Sequence, residues 1–119
     1  MGKITVIGIG PGSLYDMTPR AREAIAQAAV VAGYNTYIRL IEPLLAGKEV
    51  IGTAMMQEID RCRMAVDAAA AGKDTVVVSS GDAGVYGMAG LVLELLLQRP
   101  LAERPAFGGI IAGISAVNA

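Results

Sequence analysis

The sequence predicts an α/β domain with a mostly parallel sheet of about five strands and helices on both faces. Short β-branched apolar runs alternate along the chain with amphipathic helical segments, which is the order in which β-α-β units build a parallel sheet. Hydrophobic residues make up 54% of the 119 residues, and mean hydropathy is +0.52. Strands that are covered on both faces favour such a composition, because neither face meets water.

The strands are predicted at five apolar runs, 3–9, 30–32, 49–52, 75–79 and 107–112. The first helix is expected to begin at Pro19 behind the cap residue Thr18, with its apolar stripe at Ala21, Ala24, Ile25 and Ala28. The later helices are predicted at about 36–45, 57–71 and 85–97. Gly47 and Gly72 are the expected ends of the second and third helices.

The buried faces of the later helices follow from residue spacing. The third helix is predicted to bury four positions, Ile59, Cys62, Val66 and either Ala69 or Ala70. Cys62 on that stripe is interpreted as a small apolar core residue rather than a nucleophile. In the fourth helix, Gly87 and Gly90 are expected to permit close helix packing.

Composition excludes several functional classes. The chain has no histidine, so catalysis by Ser-His or Cys-His pairs and the usual zinc sites are excluded. Its net charge of −1 and scattered basic residues give no electrostatic footprint for nucleic acid. The longest apolar helical run, 88–97, is interrupted by Glu94 and is too short to span a membrane. Because no signal peptide is recognisable either, a cytoplasmic protein is expected.

Two glycine-rich junctions follow predicted strands, one at 8–13 and one at 80–84. Ser13 stands where a dinucleotide fingerprint would have its third glycine, and no Gly-Lys-Ser/Thr phosphate loop is present. Asp82 at the second junction would repel a phosphate and favour a cationic ligand. Two such loops at one sheet edge predict a small-molecule site, although the first loop could equally be only a tight turn.

Four further residues could line this site. Tyr86 is the favoured tyrosine, whereas Tyr34 could be an ordinary half-buried packing residue. Met55 and Met56 follow the third strand and could be core filler or a surface for the substrate.

The chain resembles the tetrapyrrole methylases at five motifs: GIGPG at 8–12, GYNTY at 33–37, GTAMMQEIDRCR at 52–63, SGDAGVYG at 80–87 and GISA at 113–116. The resemblance implies an S-adenosylmethionine-dependent methyltransferase of cobalamin biosynthesis that methylates carbon 17 of precorrin-3B, or of its cobalt form, with ring contraction. It also implies cofactor contacts from seven residues: Pro11, Ser80, Gly81, Asp82, Val85, Ser115 and Ala116.

For the substrate side, position along the chain favours Met56 and Tyr86 as lining residues and leaves Tyr86, Tyr34 and Thr53 as candidates for a catalytic role. Siroheme-forming relatives carry Asp and Lys after the second and third strands, where this chain has Tyr34 or Asn35 and Thr53. Family members have two α/β domains, so residues 1–119 are expected to be the amino-terminal domain without the second one, inactive alone.

Other functions stay open from the sequence. One alternative is a different methylase of the family, acting on another tetrapyrrole such as uroporphyrinogen, on diphthamide or on ribosomal RNA. Another is a non-catalytic module that binds a nucleotide or a partner. A homodimer is expected, because Leu91, Val92, Leu95, Leu96 and the strand at Ile110 and Ile111 offer more apolar surface than one such domain needs.

Overall fold

The structure is a computed structural model that describes residues 1–9, 17–81 and 83–112. Five strands and four α-helices alternate in these ranges: β1 (Lys3–Ile9), α1 (Pro19–Gln27), β2 (Val30–Tyr34), α2 (Asn35–Leu40), β3 (Glu49–Thr53), α3 (Glu58–Ala70), β4 (Thr75–Ser80), α4 (Ala83–Leu97) and β5 (Ala106–Ala112). The strands form one sheet in the order β3-β2-β4-β1-β5, and every neighbouring pair is parallel. The predicted fold class is confirmed.

Alternate residues of the central strands point into two separate cores, one on each face of the sheet. Val6 and Val77 lie in the core beneath α3 and α4, whereas Ile7 and Val78 lie in the core that α1 covers. All four side chains are fully buried. The continuous β-branched runs therefore have the explanation expected for a parallel sheet, since both sides of each strand are packed.

The predicted starts and stops of the helices are largely confirmed. The backbone N–H of Ala21 donates to Thr18 Oγ1 at 3.2 Å, and Pro19 occupies the first turn. Gly72 follows α3 with φ 103°, a left-handed conformation that glycine adopts without steric cost. Gly47 has φ 77° in the same way, two residues before β3.

The second helix differs from its predicted span of 36–45. The α-helix ends at Leu40, and a short 3₁₀ turn, Glu42–Leu44, follows it. Pro43 has no backbone N–H and cannot continue an α-helical hydrogen-bond ladder, which accounts for the change of helix type.

The prediction that α3 buries Ile59 is wrong. Ile59 is 54% exposed, while Arg61, two residues later, is 3% exposed. The remaining predicted positions Cys62, Val66 and Ala69 are buried. The helix turns Arg61 inward instead of Ile59 because the arginine has a hydrogen-bond acceptor there, as described below.

Four of the residues expected to form a self-association surface are part of the core, since Val92, Leu95, Leu96 and Ile111 are at most 8% exposed. Ile110 is 38% exposed. Leu93, Leu97 and Leu101, which were not expected on this surface, are exposed as well. The apolar residues of α4 thus mostly cover the sheet, and a homodimer remains a prediction. No helix in the described ranges is long and apolar enough to cross a membrane.

Candidate functional site

The carboxyl ends of three neighbouring strands bring the predicted loops together. Ile9 of β1 is level with Ser80 of β4, and Gly8 is level with Ala112 of β5. Because the three strands are parallel, the chain segments that follow them all leave from one edge of the sheet. Ligands of open α/β sheets bind at this edge, outside the carboxyl ends of the strands.

Small residues bring α4 close to this edge. A Cβ on Gly84 would overlap the hydroxyl oxygen of Ser80, and a Cβ on Gly8 would lie 3.1 Å from the Cβ of Val85. The Ser79 hydroxyl also donates to the backbone carbonyl of Gly84 at 3.2 Å. The first turn of α4 is therefore held directly against β1 and β4, and the position of Val85 in the core follows from this packing.

A cleft of about 390 Å³ opens between the ends of β2 and β4 and the helices α3 and α4. Tyr34, Tyr37 and Ser80 contribute polar groups to its wall, and the tyrosine rings meet edge to face with centroids 5.8 Å apart. The apolar wall is formed by Met55, Met88 and Leu91. Rings and methionine side chains beside a few polar groups are the usual lining of a small-molecule site.

Arg61 is the buried cation of this cleft. Its Nε donates to Thr53 Oγ1 at 2.8 Å, which ties α3 to the end of β3. Among the described residues, no carboxylate lies within 4.0 Å of the Arg61 guanidinium. Glu58, one turn earlier on α3, also lines the cleft but is exposed to water.

Cys62 lies behind the cleft wall, and its thiol is unreactive. Its thiol is fully buried and contacts the sulfur of Met88 at 3.1 Å. Burial raises the pKa of the Cys62 thiol to about 11; nearby Arg61 lowers it in part and Glu58 raises it. The thiol is therefore protonated near neutral pH, which agrees with its prediction as a core residue and not a nucleophile.

The predicted substrate and catalytic residues are only partly brought together. Tyr34 lines the cleft, and Thr53 holds Arg61 there. Tyr86 is 68% exposed and Met56 is 84% exposed, and neither lines the cleft. Met55 occupies the position at the rim that Met56 was predicted to share. The roles assigned to all four predicted residues stay predictions.

The predicted cofactor residues fall into two groups. Ser80 lines the cleft, and Gly81 follows it; among the described residues, a Cβ at Gly81 would meet only the Ile9 carbonyl, at 4.0 Å. Val85 is buried. The other four, Pro11, Asp82, Ser115 and Ala116, lie outside the described residues.

Three residues that line the cleft, Arg61, Glu58 and Gly87, were not predicted from the sequence to do so. Arg61 shares one helix face with Ala65 and Ala69, both fully buried, at spacings of four and eight residues. An arginine aligned with an apolar stripe was the available signal for a buried cation. Gly87 and Gly90 were expected to permit helix packing, but no atom of the described residues lies within 4 Å of a Cβ at either position, and Gly87 borders the cleft.

The chain is similar to methyltransferases named for cobalt-factor III and for precorrin-3B. It is 49% identical over 98% of its length to the cobalt-factor III methyltransferase of Priestia megaterium, covering 22% of that protein. It is 47% identical over 97% of its length to the probable cobalt-factor III C(17)-methyltransferase of Salmonella typhimurium, covering 48% of it. Identity to the precorrin-3B C(17)-methyltransferase of Sinorhizobium sp. is 35%, over 99% of this chain and 46% of that protein.

A solved structure of the methyltransferase CobJ has the same fold, with a TM-score of 0.78 and 37% sequence identity. The match covers 99% of this chain and 48% of CobJ, so the chain spans half or less of the length of these relatives. Residues 3–119 match the family described as Tetrapyrrole (Corrin/Porphyrin) Methylases. The chain therefore belongs to the tetrapyrrole methylases.

Proposed function

We propose that this chain is the amino-terminal, cofactor-binding part of an S-adenosylmethionine-dependent methyltransferase of cobalamin biosynthesis. Its substrate is a tetrapyrrole that is methylated at carbon 17 with contraction of the ring. The observation that carries the proposal is the adjacency of the ends of β4, β1 and β5, because the cofactor residues implied by the family motifs follow these three strands.

The cobalt-containing substrate is the better candidate of the two related intermediates. Identity to the two cobalt-factor III enzymes is 49% and 47%, against 35% to the precorrin-3B enzyme. The cobalt would arrive inside the macrocycle, so it needs no ligand from the protein. We therefore assign cobalt-factor III as the substrate.

The described residues fit the cofactor at the sheet edge. Gly81 leaves open space beside the backbone, and Ser80 presents its hydroxyl in the adjoining cleft. Pro11, Asp82, Ser115 and Ala116 would complete the contacts from the loops that follow β1, β4 and β5. When bound, S-adenosylmethionine supplies an electrophilic methyl group on a sulfonium.

The contribution of the chain to methyl transfer is positional. The packing of Gly84 against Ser80 fixes the edge that holds the donor, while Tyr34, Met55 and Leu91 form the cleft that holds the acceptor. Bringing the two reactants together and excluding water lowers the barrier without a dedicated base. The apolar wall at Met88 and Leu91 serves that exclusion of water.

Calorimetry on the 119-residue chain tests the cofactor assignment. S-adenosylhomocysteine is expected to bind, and NAD and ATP at the same concentrations are expected not to. Binding of ATP or NAD without S-adenosylhomocysteine would support the alternative of a nucleotide-binding module and reject the methyltransferase.

The chain is proposed to need further protein for turnover, because its relatives have about twice its length. Methyl transfer to cobalt-factor III is expected to be absent with this chain alone, since the apolar wall covers only part of the two reactants and further protein would have to complete the exclusion of water. Measurable methylation by the purified chain would refute the proposal that turnover needs further protein. Assembly as a homodimer is part of the same proposal, and sedimentation over a concentration series tests it.

A further inference from the structure

We propose that Arg61 is a substrate-binding residue that pairs with a carboxylate on the rim of the macrocycle. This inference rests on the proposed function, since the tetrapyrrole supplies the acetate and propionate groups. Arg61 is 3% exposed and lines the cleft between α3 and α4. A buried guanidinium without a counter-charge is costly, so its presence in a ligand cleft calls for a partner.

The hydrogen bonds of Arg61 leave its binding edge available. Its Nε donates to Thr53 Oγ1 at 2.8 Å, and no hydrogen bond from its two terminal nitrogens is recorded to any described residue. The Thr53 bond fixes the plane of the guanidinium. Two parallel N–H groups in a fixed plane match the two oxygens of a carboxylate.

The charges around Arg61 favour an anion that comes from a ligand. Glu58 is the acidic side chain that borders the cleft within the described residues, and it is exposed and beyond ion-pair distance of Arg61. Water screens an exposed carboxylate, whereas the buried guanidinium acts in a medium of lower dielectric constant. Among the described residues that line the cleft, the buried charge is therefore a cation, and it would attract an anionic group of a ligand.

The remaining wall selects a carboxylate on an apolar body. Met55, Met88 and Leu91 line the cleft together with the tyrosine rings at 34 and 37. A flat macrocycle with a carboxylate at its edge can place the ring on the apolar wall and the charge on Arg61.

The test uses the 119-residue chain with uroporphyrin III, a tetrapyrrole with eight carboxylates, and follows the Soret absorbance. Arg61→Gln should weaken binding by about tenfold or more, because one charged, bidentate contact is lost. Arg63→Gln removes the same charge from an exposed position on the same helix and should change the affinity by less than about twofold. Raising NaCl should weaken binding to the unchanged chain more than binding to Arg61→Gln.

Two more variants keep the test decisive if Arg61→Gln unfolds. Arg61→Lys keeps the positive charge but removes the two parallel N–H groups of the guanidinium. Thr53→Val keeps the arginine but removes the hydrogen bond that orients it. Each should weaken uroporphyrin III binding by about threefold to tenfold while circular dichroism shows the native fold. Unchanged affinity in folded Arg61→Gln, or in both of the other variants, would overturn the inference.

S-adenosylhomocysteine, which carries a carboxylate of its own, distinguishes the sources of the anion. All four variants should bind it as the unchanged chain does. If Arg61→Gln loses affinity for S-adenosylhomocysteine and keeps it for uroporphyrin III, the carboxylate belongs to the cofactor and the inference is wrong. A chain that binds S-adenosylhomocysteine but not uroporphyrin III also overturns it, whereas failure to bind S-adenosylhomocysteine counts against the proposed function itself.

Discussion

Gly8 of β1 faces Val85 of α4 so closely that a Cβ on Gly8 would lie 3.1 Å from the Val85 Cβ and 3.2 Å from its Cγ2. This contact joins the end of one strand to the first turn of the helix that follows its neighbour. The first glycine-rich segment begins at the end of β1, and the second one leads from β4 into α4. The absence of a side chain at Gly8 therefore sets how closely β1 and α4 approach each other.

Gly8→Ala should destabilise the chain by about 1–3 kcal/mol, the usual cost of forcing a methyl group into a packed contact. Adding Val85→Ala to Gly8→Ala should restore part of the lost free energy of unfolding, because it removes the atoms that the new methyl group meets. Urea unfolding of the two single variants and the double variant gives the coupling free energy. Strictly additive losses would mean that β1 and α4 do not meet through this pair.

Gly87→Ala should stabilise the chain and weaken its ligand binding. Within the part of the chain that the structure describes, nothing lies within 4 Å of a Cβ at Gly87, so alanine should fit and raise helix stability by about 0.5–1 kcal/mol. The same methyl group enters the cleft and should lower the affinity for uroporphyrin III by a few-fold. Gly90→Ala is the matched control: it lies on the same helix with equal free space and does not border the cleft. Equal affinities of the two variants would remove Gly87 from the binding surface.

The fold was predictable because it depends on patterns within short segments. Continuous β-branched runs such as 75–79, the cap at Thr18 and the stop at Gly72 each act locally, and β-α alternation then restricts the topology. The sequence showed that Pro43 would weaken the end of the second helix. It did not show the 3₁₀ turn that contains Pro43, because propensity does not fix how a helix ends.

The site was less predictable because it depends on contacts between distant segments. Tyr34 and Ser80 were found from their places after strands. Arg61 was missed because charge suggested the surface, while its partner Thr53 lies on the preceding strand, eight residues away. Tyr86 was favoured from its motif, yet helical periodicity turns it to solvent and turns Val85 and Met88 inward.

The buried thiol of Cys62 should make the free energy of unfolding of the chain fall at alkaline pH. Burial raises the pKa of its thiol from 9.0 to about 11, so the folded chain holds the proton more tightly than the unfolded chain does. This contribution is complete below pH 9 and is lost as pH rises from 9 through 11, by at most about 2–3 kcal/mol. The unfolding free energy of the unchanged chain should therefore fall more between pH 8 and pH 11 than that of Cys62→Ala. Parallel pH profiles would show that the thiol does not resist ionisation.

Asp82→Asn should weaken the binding of S-adenosylmethionine more than the binding of S-adenosylhomocysteine. The two ligands differ in the positive charge on sulfur, so a carboxylate that acts by charge must distinguish them, by about 1 kcal/mol or roughly fivefold in affinity. Glu94→Gln serves as the control, since it removes an exposed carboxylate from the middle of α4, outside the cleft. Equal losses for both ligands would give Asp82 a role in the turn or in contacts common to the two molecules.

Met56 combines an unfavourable backbone with an exposed apolar side chain. Its φ of 69° lies in the left-handed region, and its side chain is 84% exposed in the turn between β3 and α3. Met56→Asn should raise the unfolding free energy by several tenths of a kcal/mol to about 1 kcal/mol, because asparagine tolerates this conformation better than methionine does. Met56→Leu, which keeps both the strain and the apolar character, should have little effect on stability.

The same pair of variants tests the predicted substrate role of Met56. If the side chain contacts the macrocycle, Met56→Asn should lower uroporphyrin III affinity several-fold despite its higher stability, while Met56→Leu should retain the affinity. A gain in stability with a loss of binding is the expected result where local strain is kept for function. Unchanged affinity in Met56→Asn would mean that the cleft ends at Met55, and that the strained turn serves only to start α3 at the angle that carries Arg61 inward.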